Sequence, residues 1–334
     1  MNFHRSFRLN VRRAALLTAV TMTLSCSSVP KAPDNPAPLV PIKVAGARWI
    51  ELSPVIVAAE YFYPQKLAVP SGGVTSITSK VADIATNAET QLLRESMTNP
   101  DLRIIMTVSE SFYRLVARRS AGISKLSDLK GKRVIVPRLT SAHYYLVAML
   151  ESAGLKEEDV TIVTAGAAQP GQPAGRFRSA EALARGEADV IATFEPEPAI
   201  AVQKLGKDAI VLQNRKVYRE AFNLNARAPD LADPEKRRAI VAFVRAAAQA
   251  SAAIRKDPGK YWPHIASVIG FTEAEIGLGW AETEFPVKII PDMLDVLETE
   301  EKRLAKVSNR APRGRAELSR FIDRSVVEEA LKGL

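Results

Sequence analysis

The side chains best placed to do chemistry in this 334-residue chain fall in two kinds of place. The first is Thr140-Ser141-Ala142-His143, two hydroxyls and an imidazole at the start of a periodic apolar run. A hydroxyl just before a helix accepts a backbone N–H, and the first turn keeps further N–H groups unpaired at the positive end of the helix dipole. Set beyond the carboxyl end of a strand, such a turn can hold an anion. The same pattern also describes an ordinary capped helix with no ligand, and local pattern alone leaves both readings open.

The second is acidic. Glu51, Glu89, Glu110 and Glu195 lie in or beside segments that follow short apolar runs, with Trp49 and Phe194 next to two of them. Carboxylates do not tolerate a bare anion within a few ångströms. Either the solute is a zwitterion or polar organic acid, or these glutamates are solvated or paired with arginines such as Arg48 and Arg114. A zwitterion would place its acidic head at Thr140 and its amine or hydroxyls toward Glu89 or Glu195.

Enzyme chemistry finds little material. The histidines are His4, His143 and His264, and Cys26 is the sole cysteine. No His, Cys and acid set has metal-ligand spacing, and no nucleophile elbow, P-loop or dinucleotide glycine set occurs. Ser141 and His143 are two residues apart, so on a helix they do not face each other. The expectation is no catalytic residue, no metal and no cofactor. An enzyme or a ligand sensor on the same scaffold remains the alternative.

These residues need elements to position them. Arg133–Val136 reads as a strand stopped by Pro137. Thr140 to Ala153 reads as a helix with Leu146, Met149 and Leu150 at helical spacing and Gly154 as its left-handed stop. Ile42–Ala45 is a strand leading to Trp49 and Glu51, with Ser53 as cap and Pro54 opening a helix to Tyr61. Leu102–Val108 and Val160–Val163 read as strands. Phe112–Ala117 is β-leaning, and a crossover is placed at 118–122. Ala209–Leu212 is a strand, and Gln213–Phe222 crosses back. Asp233-Pro234-Glu235 opens a long helix to about Lys256, with later helices at 262–269, 272–281, 291–305 and from Arg315 to the end. Lys80–Glu89 (KVADIATNAE) echoes Gly186–Glu195 (GEADVIATFE), which suggests two similar α/β lobes.

The totals fit an exported globular protein. Its 334 residues are enough for two domains, and 47% are hydrophobic and 25% charged. The formal charge is +9. The first 25 residues carry four arginines and no acid, so their removal leaves about +5. Basic residues are scattered, without runs or interleaved aromatics, which speaks against nucleic-acid binding. Arg5 to Arg13 followed by the apolar run Ala14–Leu24 is a signal-peptide pattern, too short to span a bilayer. Cys26 directly after it resembles a lipobox, with Thr23 where an aliphatic residue is usual. Conventional cleavage nearby is the other reading. Residues 27–41, with five prolines, read as an extended tether.

Three segments carry a resemblance: Ala82–Asn87, Asp128–Val134 and Thr140–Tyr144. With Leu183–Asp189, Phe194–Glu197 and Asp233-Pro234, in that order, they make residues 42–325 resemble the substrate-binding proteins of ABC importers. The group is the sulfonate/nitrate/taurine one that includes the NMT1/THI5-like proteins. The resemblance implies an α/β, periplasmic-binding-protein-like (type II) fold, with two lobes, a hinge and a central ligand cleft. Ahead of it stand the signal with lipobox at 1–26 and the tether at 27–41, read from their own residues. Lobe I would be split between 42–117 and 218–334, the latter with the C-terminal helices, and lobe II would be inserted at 118–217. It assigns Thr140, Ser141, Ala142 and His143 to the solute's anionic group, Asn87, Ala88 and Glu89 to the facing loop, and Phe194 and Glu195 to a cleft loop. Trp49 and Glu51, after the first strand, and Tyr113 and Tyr218, near the crossovers, complete the expected ligand-binding set. The implied partners are a small polar or anionic solute and an ABC permease with its ATPase. The chain would be a periplasmic monomer, held to the membrane through a lipid on Cys26. The cysteine-rich motif of the THI5 branch is absent.

Overall fold

The computed structural model of the protein describes residues 38–163 and 178–334. The signal, Cys26, nearly all of the tether and the loop 165–175 lie outside these residues.

Ten strands occur in the described chain: β1 Val44–Ala45, β2 Ile84–Ala88, β3 Leu102–Ser111, β4 Leu115–Arg118, β5 Arg133–Ile135, β6 Thr161–Val163, β7 Val190–Ala192, β8 Ala209–Leu212, β9 Glu220–Arg227 and β10 Thr283–Glu284. They form two five-stranded sheets, ordered β1-β2-β9-β3-β10 and β6-β5-β7-β4-β8. In the first, β1 and β2 are parallel and β9 runs antiparallel to β2 and β3. In the second, β6, β5 and β7 are parallel and β4 runs antiparallel to β7 and β8. Strands β3 and β7 are buried along nearly their whole length, which accounts for their apolar runs.

The internal echo corresponds to a repeated construction. Lys80 and Gly186, equivalent in the two segments, both adopt left-handed backbone at φ 61° and 76°. Three residues on, Asp83 accepts the Lys43 N–H at 2.7 Å and Asp189 accepts the Arg133 N–H at 2.9 Å. In return the N–H of each aspartate donates to the carbonyl of the same partner, at 2.9 Å in both lobes. Each Ala-Asp pair thus clamps the start of its strand to the parallel neighbour, which also explains why an acid stands at the mouth of an apolar strand.

The first sheet is assembled from two separate stretches of chain, with the second sheet made wholly from the stretch between them. The chain passes from β3 to β4 through Phe112-Tyr113-Arg114 and returns from β8 to β9 through residues 213–219. This corrects the expected crossover at 118–122. Leu115–Arg118 pairs with β7 and β8, so it belongs to the second sheet and not to lobe I. Strand β9 is a second correction, since part of it was read as crossover. Its polar Asn223 and Asn225 are buried and find partners inside the sheet. Thr107 Oγ1 donates to Asn223 Oδ1 at 3.0 Å, and Asn225 Nδ2 donates to the Ala85 carbonyl at 3.2 Å.

Helix ends follow local chemistry. Asp233 caps Pro234–Lys256 by accepting from the N–H groups of Glu235 and Lys236. Ser53 does not cap: its hydroxyl donates back to the Ile50 carbonyl at 2.6 Å, and a 3₁₀ turn Ile50–Leu52 precedes the helix. The expected terminal helix is two, Arg315–Ser319 and Arg324–Leu331, the second restarted by an Asp323 cap. Helix Glu197–Leu205 was not anticipated. One apolar core contains Ile84 and Leu102 of the first sheet together with Val116, Ile135 and Ile191 of the second. A smaller core around Leu146, Met149 and Val190 takes in Tyr113, Phe194 and Tyr218, with Trp49 against it.

Candidate functional site

A cavity of about 240 Å³ lies where loops of both sheets meet. The segment after β1 supplies Ala47, Trp49 and Glu51. The end of β2 and the following turn supply Asn87, Ala88 and Gln91. Strand β9 supplies Glu220 and Phe222. From the second sheet come Thr140 and Ser141, beyond β5, and Phe194, beyond β7. These are mainly carboxyl ends of parallel strands, the place where open α/β sheets take ligands.

The helix that carries Thr140 and Ser141 at its start runs Ser141–Ser152, with Thr140 as its N-cap and Gly154 following at φ 74°. Thr140 Oγ1 accepts from the His143 N–H at 3.5 Å and donates to the Pro137 carbonyl at 2.7 Å. The His143 ring props this turn from outside the cavity: Nδ1 accepts the Leu139 N–H at 3.2 Å, and Nε2 lies 3.2 Å from Glu157. At the mouth of the helix, Ser141 Oγ donates to Glu220 Oε1 at 2.9 Å and lies 3.1 Å from the Tyr113 hydroxyl. A carboxylate of the protein itself therefore stands at the first turn. Trp49 and Phe194 form an aromatic wall, their ring centroids 5.0 Å apart.

Trp49, Glu51, Asn87, Ala88, Thr140, Ser141 and Phe194 are thus brought together around one cavity, while Glu89, Tyr113, Ala142, His143, Glu195 and Tyr218 do not line it. Glu89 is sealed, accepting from the Tyr218 hydroxyl at 2.5 Å and the Ala221 N–H at 2.8 Å. Glu195 accepts from Arg114 Nε at 2.7 Å and from the Ala199 N–H at 3.3 Å, so the arginine pairing weighed from sequence is realised there. Glu110 pairs with Arg219 at 2.8 Å. Sequence reasoning missed Ala47, Gln91, Glu220 and Phe222. The last two follow from β9, whose apolar Phe222, Leu224 and Ala226 alternate at period two.

Burial sets the electrostatics. It pushes the carboxyls of Glu51 and Glu195 up to about 7, with Glu195 adding to the effect on Glu51 and Arg114 opposing it at Glu195. Burial also drives Glu220 well above the usual carboxylate range, reinforced by Glu51 and Glu89. Glu89 and Glu300, side by side, are raised for the same reason. A second, larger hollow of about 440 Å³ runs along residues 215–219 and the helix Met293–Val307. It touches the first turn of the helix only at Tyr144 and does not reach Thr140, Ser141 or the ends of β1, β2, β5 and β7, and Arg219 there is committed to Asp292 at 2.7 Å and to Glu110. The smaller cavity is the better candidate. Among the described residues no group of three or more His, Cys, Asp or Glu is placed to hold a metal ion.

Two mixed α/β lobes joined by two crossing segments, with a cavity between their strand ends, define the periplasmic-binding-protein fold. The chain belongs to the NMT1/THI5-like family, whose model matches residues 65–261. Solved structures agree on the fold. The periplasmic aliphatic sulphonate-binding protein SsuA of Escherichia coli is 15% identical at TM-score 0.65, covering 84% of this chain and 91% of that one. The alkanesulfonate-binding SsuA of Xanthomonas axonopodis pv. citri, bound to MOPS, is 16% identical at TM-score 0.62, covering 85% and 98%. The desulfurization enzyme DSZB is 15% identical at TM-score 0.62, covering 87% and 99%. No curated protein matches the chain by sequence.

Proposed function

We propose that this protein is the extracytoplasmic solute-binding component of an ABC importer. It captures a small polar organic solute between its lobes and hands it to a membrane permease driven by an ATPase. The carrying observation is the cavity itself, lined from both sheets by an aromatic wall, carboxylates and a helix start. Family membership and the sulfonate-binding neighbours support a sulfonate- or taurine-like solute. The signal-like N-terminus supports export to the periplasm and attachment through Cys26. No described helix is long and apolar enough to cross a membrane.

The same fold carries an enzyme, DSZB. Against catalysis here stands the lining, which among the described residues offers Thr140 and Ser141 hydroxyls but no imidazole or thiol to activate them. The test is a melting-curve screen of the mature chain with sulfonates, amino-sulfonates and nitrate, alongside turnover assays on mixed metabolites. Solute-dependent stabilisation without turnover is expected. Tight binding of nitrate alone would end the zwitterion reading, and product formation would replace transport with catalysis.

A further inference from the structure

We infer that the cavity is built around the positive end of its solute: an ammonium group on a short carbon skeleton, held by the Glu51 and Glu220 carboxylates against the rings of Trp49, Phe194 and Phe222. The inference rests on the solute-binding reading and names the chemistry it must recognise.

The first ground is charge. Among the described residues, those lining the cavity include two glutamates and no lysine, arginine or histidine. A sulfonate or nitrate held there would meet no cationic side chain of the described residues. At the helix start the Ser141 hydroxyl is already committed to Glu220.

The second ground is an unmet demand. Glu51 is 1% exposed and Glu220 2%, yet the Oε2 atom of each is buried without a hydrogen-bond partner. Three other buried carboxylates have protein donors on their oxygens, while Glu300, which does not line this cavity, also keeps Oε2 open. Glu195 has Arg114 and the Ala199 N–H, Glu89 has Tyr218 and the Ala221 N–H, and Glu301 has Arg310 and Arg313. An unsatisfied buried acceptor is costly, and a cation that donates hydrogen bonds removes that cost. The open oxygens of Glu51 and Glu220 therefore specify what is missing: a donor with positive charge.

The third ground is the wall. Trp49 and Phe194 stand together, and Phe222 comes from the same strand as Glu220. Aromatic rings beside carboxylates are the usual surroundings of an organic ammonium, attracted by the ring quadrupole as well as by the charges. At about 240 Å³ the space equals about eight waters of liquid volume, which fits a small amine and not a large one.

Isothermal titration calorimetry on the mature chain tests this with matched probes: taurine against ethanesulfonate, and ethylammonium against sulfate. Taurine and ethylammonium are expected to bind, and the two amine-free probes are not. Glu220→Gln and Glu51→Gln, each checked for a native melting curve, should each weaken taurine by more than about tenfold. Ethanesulfonate binding as tightly as taurine, unaffected by either substitution, overturns the inference and leaves the solute-binding reading standing. So does failure of both amines at millimolar concentration while a metabolite mixture still raises the melting temperature. If no mixture raises it, the solute-binding reading falls as well.

Discussion

Glu51 and Glu220 dominate the cavity because burial and mutual repulsion act on the same two carboxyls. Glu51 faces Glu195, which carries Arg114, and Glu220. Glu220 faces Glu51, Glu89, the Ser141 hydroxyl and Tyr113. In the unfolded chain a glutamate ionises near its ordinary 4.5, whereas native Glu51 does so only near about 7. Between those values the native state binds more protons than the unfolded one, so stability falls as pH rises through that window. Calorimetric melting of the solute-free chain should show lower stability at about pH 8 than at about pH 5, and Glu51→Gln should flatten the difference by a few kcal/mol. Solute binding should run the other way. An amine needs ionised carboxylates, so its affinity should weaken as pH drops below about 7 and its binding should release protons. Titration in buffers of different ionisation enthalpy measures that release.

Between residues and lobes, the clamps and close approaches decide where the cavity walls stand. Asp83 and Asp189 hold equivalent strands to their parallel neighbours, and each also meets a cation, Lys236 at 2.8 Å and Arg133 at 2.9 Å. Asp83→Ala or Asp189→Ala should each cost about 1–3 kcal/mol in urea unfolding, because a backbone N–H loses its acceptor along with the ion pair. Gly279 ends the helix Glu273–Gly279 where it presses on the Phe194 loop. A Cβ there would stand 2.6 Å from Glu195 Oε2 and 3.1 Å from the Pro196 Cα. Backbone cannot yield as a side chain does, so Gly279→Ala should destabilise the fold by about 1–3 kcal/mol and loosen the wall that carries Phe194. Lower melting temperature together with weaker solute binding is the expected pair of readings.

The two sheets share one continuous apolar core, in which Val116, Ile135 and Ile191 of the second sheet pack with residues of the first. A scanning calorimeter should therefore record a single unfolding transition for the body of the protein, despite its two lobes. Two resolved transitions would mean that the lobes unfold separately. A solute at about a hundred times its dissociation constant should shift that transition upward by the equivalent of about 2.7 kcal/mol, since it binds only the assembled cavity.

Strand–turn–helix at 133–154, the Asp233 cap, the echo of two lobes and the loops bearing Trp49, Glu51, Asn87, Thr140 and Phe194 were all readable from residue order. Each is local: a periodicity, a capping side chain or a stop residue acts within a few positions. Arg114 was readable as a pairing candidate, but which glutamate meets which partner was not, because carboxylates that look alike in a chain differ only in what folding sets beside them. Glu89 met Tyr218, Glu195 met Arg114, and Glu51 and Glu220 were left facing an aromatic cavity. Strand β9 was hidden for the same reason, since buried asparagines look like loop residues until Thr107 and Ala85 supply their hydrogen bonds. The charge a solute must carry is set by contacts between segments as distant as Glu51 and Glu220, and such contacts exist only once the chain has folded.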